Sequence, residues 1–171
     1  MHFSQEQLLE YLATHHLSYT LYTHAPLFTC EQGLKIVEEL KIPGTVVKNL
    51  FLKDDKKNVH LIVAASSTHV DLKTVGKVLE LKGLRFADAT LLMNHLGVEP
   101  GSVTPLALIN DKTGVVNVII DATLLKQEYL QIHPLKNSAT VVITPTDLLQ
   151  FLSLINRSYL VYDFVNNDIN V

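Results

Sequence analysis

Apolar residues in this chain first recur with a helical period. Leu8, Leu9 and Leu12, with Tyr11, follow Ser4 and Gln7, a pair with the spacing of a capping box, which predicts an amphipathic helix over about residues 4 to 15. Tyr19-Thr20-Leu21-Tyr22-Thr23 alternates and is rich in strand formers, so a strand is expected to end at His24-Ala25-Pro26. Thr29 is placed to cap a second helix, with Leu34, Val37 and Leu40 on one apolar face and Ile42-Pro43-Gly44 as its stop. An apolar run from Val46, a charged turn through Asp54 to Asn58, and a return run from Val59 to Ala65 predict a β-hairpin.

Beyond the hairpin, Leu72, Val75, Val78 and Leu79 keep core spacing in a helix closed by Lys82-Gly83, and a short strand follows near Leu84 to Phe86. Asp88 or Thr90 opens a helix carrying Leu91, Leu92, His95 and Leu96 that stops at Gly97. The run Leu106 to Ile109 reads as a short buried strand, Val115 to Ile120 as another, and Asp121 to Leu125 as a brief helical excursion. Strands at Tyr129 to His133 and Thr140 to Ile143, a helix capped by Thr144 or Thr146, and a strand at Tyr159 to Tyr162 precede a tail expected to fray through Asn166 to Asp168. The expectation is one mixed α/β (α+β) domain spanning residues 1–171, with about seven strands, about five helices and no repeating β-α-β unit.

Composition narrows the function. Hydrophobic residues make up 47% of the chain, yet no uninterrupted apolar stretch approaches the ~20 residues of a membrane span. The N-terminus lacks a secretory pattern, and the single Cys30 excludes an internal disulfide framework, so a cytoplasmic location and no membrane partner are expected. A net charge of −3 argues against a broad, non-specific nucleic-acid binder, and DNA is not an expected partner. Lysine clusters at Lys48 to Lys57 and Lys73 to Arg85 alternate with acidic groups, as solvated surfaces commonly do. No G-x-S-x-G, P-loop, G-x-G-x-x-G or H-E-x-x-H string occurs, and the eight histidines lack metal spacing. Neither a metal nor another cofactor is expected.

Two features carry candidate chemistry. In E-P-G-S-V-T-P-L-A-L-I-N-D, from Glu99 to Asp111, Gly101 and Pro105 bracket Ser102, Val103 and Thr104 in a loop whose N–H groups could converge on an anion or a developing oxyanion. The same string also reads as an ordinary tight turn. Lys48 sits where the strand pattern calls for an apolar residue, either as a functional lysine or as one snorkelling from a sheet edge.

Three strings taken together are specific: V-K-N-L-F-L-K-D from Val47, G-V-E-P-G-S-V-T-P-L-A-L-I-N-D from Gly97, and H-P-L-K-N-S-A-T from His133. With V-D-L-K at Val70 and an H-x-P-x-x-T-like segment at His24, they resemble the YbaK/prolyl-tRNA synthetase-associated editing domain family over nearly the whole chain. The resemblance is closest to the freestanding alanyl-tRNA(Pro) deacylases. It implies a YbaK-like fold, a central mixed sheet or partial barrel, and hydrolysis in trans of the ester of mischarged Ala-tRNA(Pro). The alternatives are a Cys-tRNA(Pro) deacylase and a non-catalytic tRNA- or synthetase-binding module of the same fold. The resemblance also implies Lys48, Gly101 and Ser102 as catalytic, and Asn49, Val103, Thr104, Pro105 and His133 as substrate-binding. His133 is read as either catalytic or supporting. The implied partners are the acceptor end of tRNA(Pro) and prolyl-tRNA synthetase, and the implied water activation falls largely to the neighbouring ribose hydroxyl. Thr45-Val46-Val47 before Lys48, and Ser66 to His69 before Val70, depart from the family pattern.

Overall fold

The computed structural model describes residues 1–170. In chain order its elements are α1 (Gln5–Thr14), β1 (Tyr19–Thr23), α2 (Cys30–Glu39), β2 (Thr45–Lys53), β3 (Val59–Ala65), α3 (Leu72–Val78), β4 (Arg85–Phe86), α4 (Ala89–Leu96), β5 (Val116–Asp121), β6 (Leu130–Ile132), β7 (Ala139–Ile143), α5 (Pro145–Leu154), β8 (Leu160–Asp163) and β9 (Asp168–Ile169), with 3₁₀ turns at Pro105–Asn110 and Ala122–Lys126. The strands form one mixed sheet in the order β1-β7-β6-β2-β3-β5-β8-β9, with β4 added beside β2. The predicted capping box of Ser4 with Gln7 is present, and Thr29 caps α2 as expected, its box completed by Gln32. Asp88 caps α4 and Thr144 caps α5.

Side chains alternate across a strand, so the sheet carries two cores. On one face Phe51, Leu61, Val63, Val118, Ile120 and Val141 pack with Leu8 and Leu12 of α1, Leu92 and Leu96 of α4, and Leu148 and Phe151 of α5. On the other, Leu52, Ile62, Ala64, Ile119 and Tyr162 pack with Val75 of α3. Each fully buried leucine or isoleucine contributes about 1.5–3 kcal/mol, which makes β2, β3 and β5 a rigid base for whatever their ends carry.

Three expectations need correction. Leu106 to Ile109 is not a strand but part of the 3₁₀ turn Pro105–Asn110, whose residues are all buried. A short apolar run cannot be told from a buried helical segment by periodicity. Here Pro105 at the first position and the Thr104 side chain, accepting from Leu106 N–H at 3.3 Å, start a turn instead. The apolar stripe of α2 does not enter a core: no α2 residue is buried, and Leu34 stays 67% exposed. Finally, the tail does not fray at Asp168 but adds β9 antiparallel to β8, and the sheet has nine strands where about seven were expected.

Candidate active site

β2 is the strand on which the site is built. Its start is fixed by a crowded turn: Gly44 has φ +97°, and a Cβ there would lie 2.7 Å from the Tyr129 carbonyl oxygen. Gln131 of β6 clamps the same turn, its Nε2 donating to the carbonyls of Ile42, Pro43 and Gly44 at 3.1, 3.2 and 3.0 Å. Two residues beyond Val46, which pairs with Gln131, stands Lys48. Its ammonium donates to the Thr68 carbonyl.

Asn49 bonds elsewhere. Its Nδ2 donates to the Val103 carbonyl at 3.0 Å, tying β2 to the Gly101 to Pro105 loop, while its buried Oδ1 has no hydrogen-bond partner among the described residues. In that loop Gly101 is exposed with φ +90°, the left-handed region that favours glycine. The Ser102 N–H donates to the Glu99 carbonyl at 3.0 Å, so this amide closes the turn. Thr104 and Pro105 are fully buried and anchor the loop to the 3₁₀ turn.

The third string closes the site. A Cβ on Gly101 would lie 4.0 Å from Asn137 Nδ2, which itself donates to the Leu27 carbonyl at 2.8 Å. His24 N–H donates to the Ser138 carbonyl at 3.0 Å, and Thr140 Oγ1 lies 2.9 Å from His24 Nε2. Because His24 Nδ1 lies 2.8 Å from the Ala25 carbonyl, which only accepts, the consistent neutral tautomer carries its proton on Nδ1 and receives the Thr140 hydroxyl at Nε2. The same logic puts the His133 proton on Nδ1, donating to the Ala139 carbonyl at 2.8 Å. Burial, foremost, and the charge of His24 hold the His133 pKa below its usual value, against the raising effect of the Ala139 bond. Leu135, between these groups, is buried at φ +72°. A bulky residue in this region costs of order 1–3 kcal/mol, of the kind stored at functional sites.

Strings far apart in sequence therefore meet: Asn49 joins the first to the second, Asn137 brings the third against Gly101, and His24 joins the N-terminal segment to the third. Thr68 and Asp121, which the sequence did not single out, lie behind Lys48. The Thr68 hydroxyl donates to Asp121 Oδ2 at 2.6 Å, and Asp121 is wholly buried at the end of β5. The one signal available was an acid directly after the apolar run V-N-V-I-I. A cavity of about 480 Å³ adjoins Thr68, with Thr45, Ser67, His69 and Thr123 on its walls. A larger cleft of about 600 Å³ sits at the starts of β3, β5 and β8, and none of the candidate residues lines it. Among the described residues no cluster of three or more His, Cys, Asp or Glu is arranged to hold a metal ion, and no helix is long and apolar enough to cross a membrane.

This fold and this meeting of loops define an aminoacyl-tRNA editing domain. The model of that family matches residues 24–151, and the chain belongs to it. It is thus a hydrolase of the aminoacyl-tRNA deacylase class. Among its relatives, the "Prolyl-tRNA editing protein ProX" of Acetoanaerobium sticklandii is 38% identical over 133 residues, covering 77% of this chain and 80% of the relative. The "Prolyl-tRNA synthetase associated domain-containing protein 1" of Danio rerio is 35% identical over 162 residues, 94% of this chain and 87% of the relative. A crystal structure described as that of a candidate trans-editing enzyme for prolyl tRNA synthetase superposes with a TM-score of 0.67 at 18% identity, covering 94% of this chain and 96% of that one.

Proposed function

We propose that this chain hydrolyses the ester of mischarged tRNA(Pro) in trans, with alanine as the amino acid removed. The observation that carries this reading is the tether between Asn49 and Val103, which holds the lysine-bearing strand against the Gly101 to Pro105 loop. Its support from similarity is the relative named as a prolyl-tRNA editing protein. In this reading Lys48 orients the phosphate-bearing end of the tRNA. Loop amides other than that of Ser102, which closes the turn, face the ester carbonyl and stabilise charge as water adds to its carbon. The acyl C–O bond to the ribose then breaks, the ribose oxygen takes one of the water's protons, the other passes to solvent, and the amino acid leaves as its carboxylate. His133, bonded to Ala139, supports the wall of the pocket.

The pocket acts as a fine sieve that admits alanine and excludes the proline ring by collision. Preferring alanine over glycine rests on one methyl group, worth only ~1–3 kcal/mol. The nucleic acid must then be read as well, by some of Lys48, Lys53, Lys73 and Lys77. The test is release of the amino acid from Ala-, Cys- and Pro-tRNA(Pro) and from Ala-tRNA(Ala) at one salt concentration. Rapid loss of alanine from tRNA(Pro) alone is the expected result. Faster release of cysteine would reassign the substrate, equal rates on tRNA(Pro) and tRNA(Ala) would remove the tRNA readout, and no release would overturn the proposal.

A further inference from the structure

Lys48, Ala64 and Asp121 stand side by side on one face of the sheet. Lys48 is paired with Ala64 across β2 and β3, and the β3 to β5 register, with Val63 opposite Ile120, continues to bring Ala64 beside Asp121. Neighbouring strands lie about 4.8 Å apart, so the backbones carrying the cation and the carboxylate are separated by roughly 10 Å, with only the methyl group of a buried alanine between them. Thr68, in the turn beyond β3, bridges that gap. Its carbonyl accepts from Lys48 Nζ and its hydroxyl donates to Asp121 Oδ2 at 2.6 Å. The remaining bonds to Asp121 come from Ala65 N–H at 3.2 Å and Thr123 N–H at 2.9 Å.

We propose that Asp121 and Thr68 are positioning residues for Lys48, with the buried carboxylate fixing Thr68 through its hydroxyl and the Thr68 carbonyl fixing the ammonium. A buried carboxylate must have its oxygens hydrogen-bonded, and here one of its three donors is the residue that holds the lysine. The bonds from Ala65 and Thr123 lock Asp121 to the end of β3 and to the 3₁₀ turn that follows β5, so the chain of contacts runs from rigid sheet to flexible lysine. A lysine side chain is otherwise a mobile point charge on a four-carbon stem, and the relay confines it before substrate arrives.

The inference rests on Lys48 being the residue that orients the tRNA, so the experiment separates the two claims. Single-turnover deacylation of Ala-tRNA(Pro) is measured for the wild type, Lys48→Ala, Thr68→Val, Thr68→Ser and the Lys48→Ala/Thr68→Val double variant, each with its melting temperature. Thr68→Val should lower the rate about tenfold or more, approaching the hundredfold that a 1 Å misplacement can cost. Thr68→Ser, which keeps the hydroxyl, should restore it. In the Lys48→Ala background, Thr68→Val should have no further effect. If Lys48→Ala keeps its rate, the reading of the site fails. If Lys48→Ala loses its rate but Thr68→Val does not, or if Thr68→Val lowers the rate equally with and without Lys48, the relay is wrong. Should Thr68→Val fail to fold, Thr68→Ala in the half-exposed turn carries the same comparison with the same outcomes.

Discussion

Lys48 and Asn49 are neighbours on β2 yet bond in different directions, Lys48 to the carbonyl of Thr68 and Asn49 to the carbonyl of Val103 at 3.0 Å. Strand alternation sends consecutive side chains to opposite faces. One rigid strand thereby sets both the cation and the loop, and each can be tested alone.

Lys48→Ala should reduce deacylation by on the order of a hundredfold or more, the scale of losing a charge-stabilising group. Stability should fall by only about 1 kcal/mol, the usual worth of one hydrogen bond. A melting curve beside a single-turnover assay checks both, and near-normal turnover would return Lys48 to a snorkelling surface lysine.

Replacing Asn49 tests the tether. Asn49→Ala removes the donor to Val103 and should cost about 1 kcal/mol together with a drop in rate. Asn49→Asp should be worse in both respects, because an ionised carboxylate only accepts and would face a carbonyl oxygen. Urea unfolding of the two variants ranks them, and the reverse order would mean that this contact does not hold the loop.

Two glycines with positive φ should behave differently. At Gly101, where a Cβ has open space until Asn137 Nδ2 at 4.0 Å, alanine meets only backbone strain of about 1–3 kcal/mol. The re-aimed loop should cost more in rate than in stability, on the order of a hundredfold. At Gly44, where the Cβ would meet the Tyr129 carbonyl oxygen at 2.7 Å, alanine should prevent normal folding. If Gly101→Ala hydrolyses at the wild-type rate, the loop is a turn and nothing else.

His133 gives a pH dependence. Burial, with the charge of His24, lowers its folded-state pKa, whereas the unfolded value is near ~6.5. Between the two values the unfolded chain binds a proton that the folded chain does not. Stability should therefore decline as pH falls below about 6.5 and level off once the folded histidine also titrates. Urea midpoints at pH 7.5 and 5.5 should differ less for His133→Gln than for the wild type, and an unchanged difference would remove His133 as the cause.

The sequence alone determined what depends on neighbours a few residues apart. The capping box at Ser4, the cap at Thr29, the hairpin of β2 and β3, and the glycine stop at Gly97 all arise from bonds within one turn or one hairpin. The motif strings also single out Lys48, Gly101 and His133 as candidates. Tertiary structure decided the rest, because burial and bonding partners are set by residues distant in the chain. It turned Leu106 to Ile109 into a buried 3₁₀ turn, left the apolar stripe of α2 in solvent, and aimed Asn49 across to Val103, 54 residues away. Thr68 and Asp121 lie 53 residues apart, and nothing in the sequence links a threonine in a turn to an acid at a strand end. They become a relay only when the strand register sets Lys48, Ala64 and Asp121 in one row.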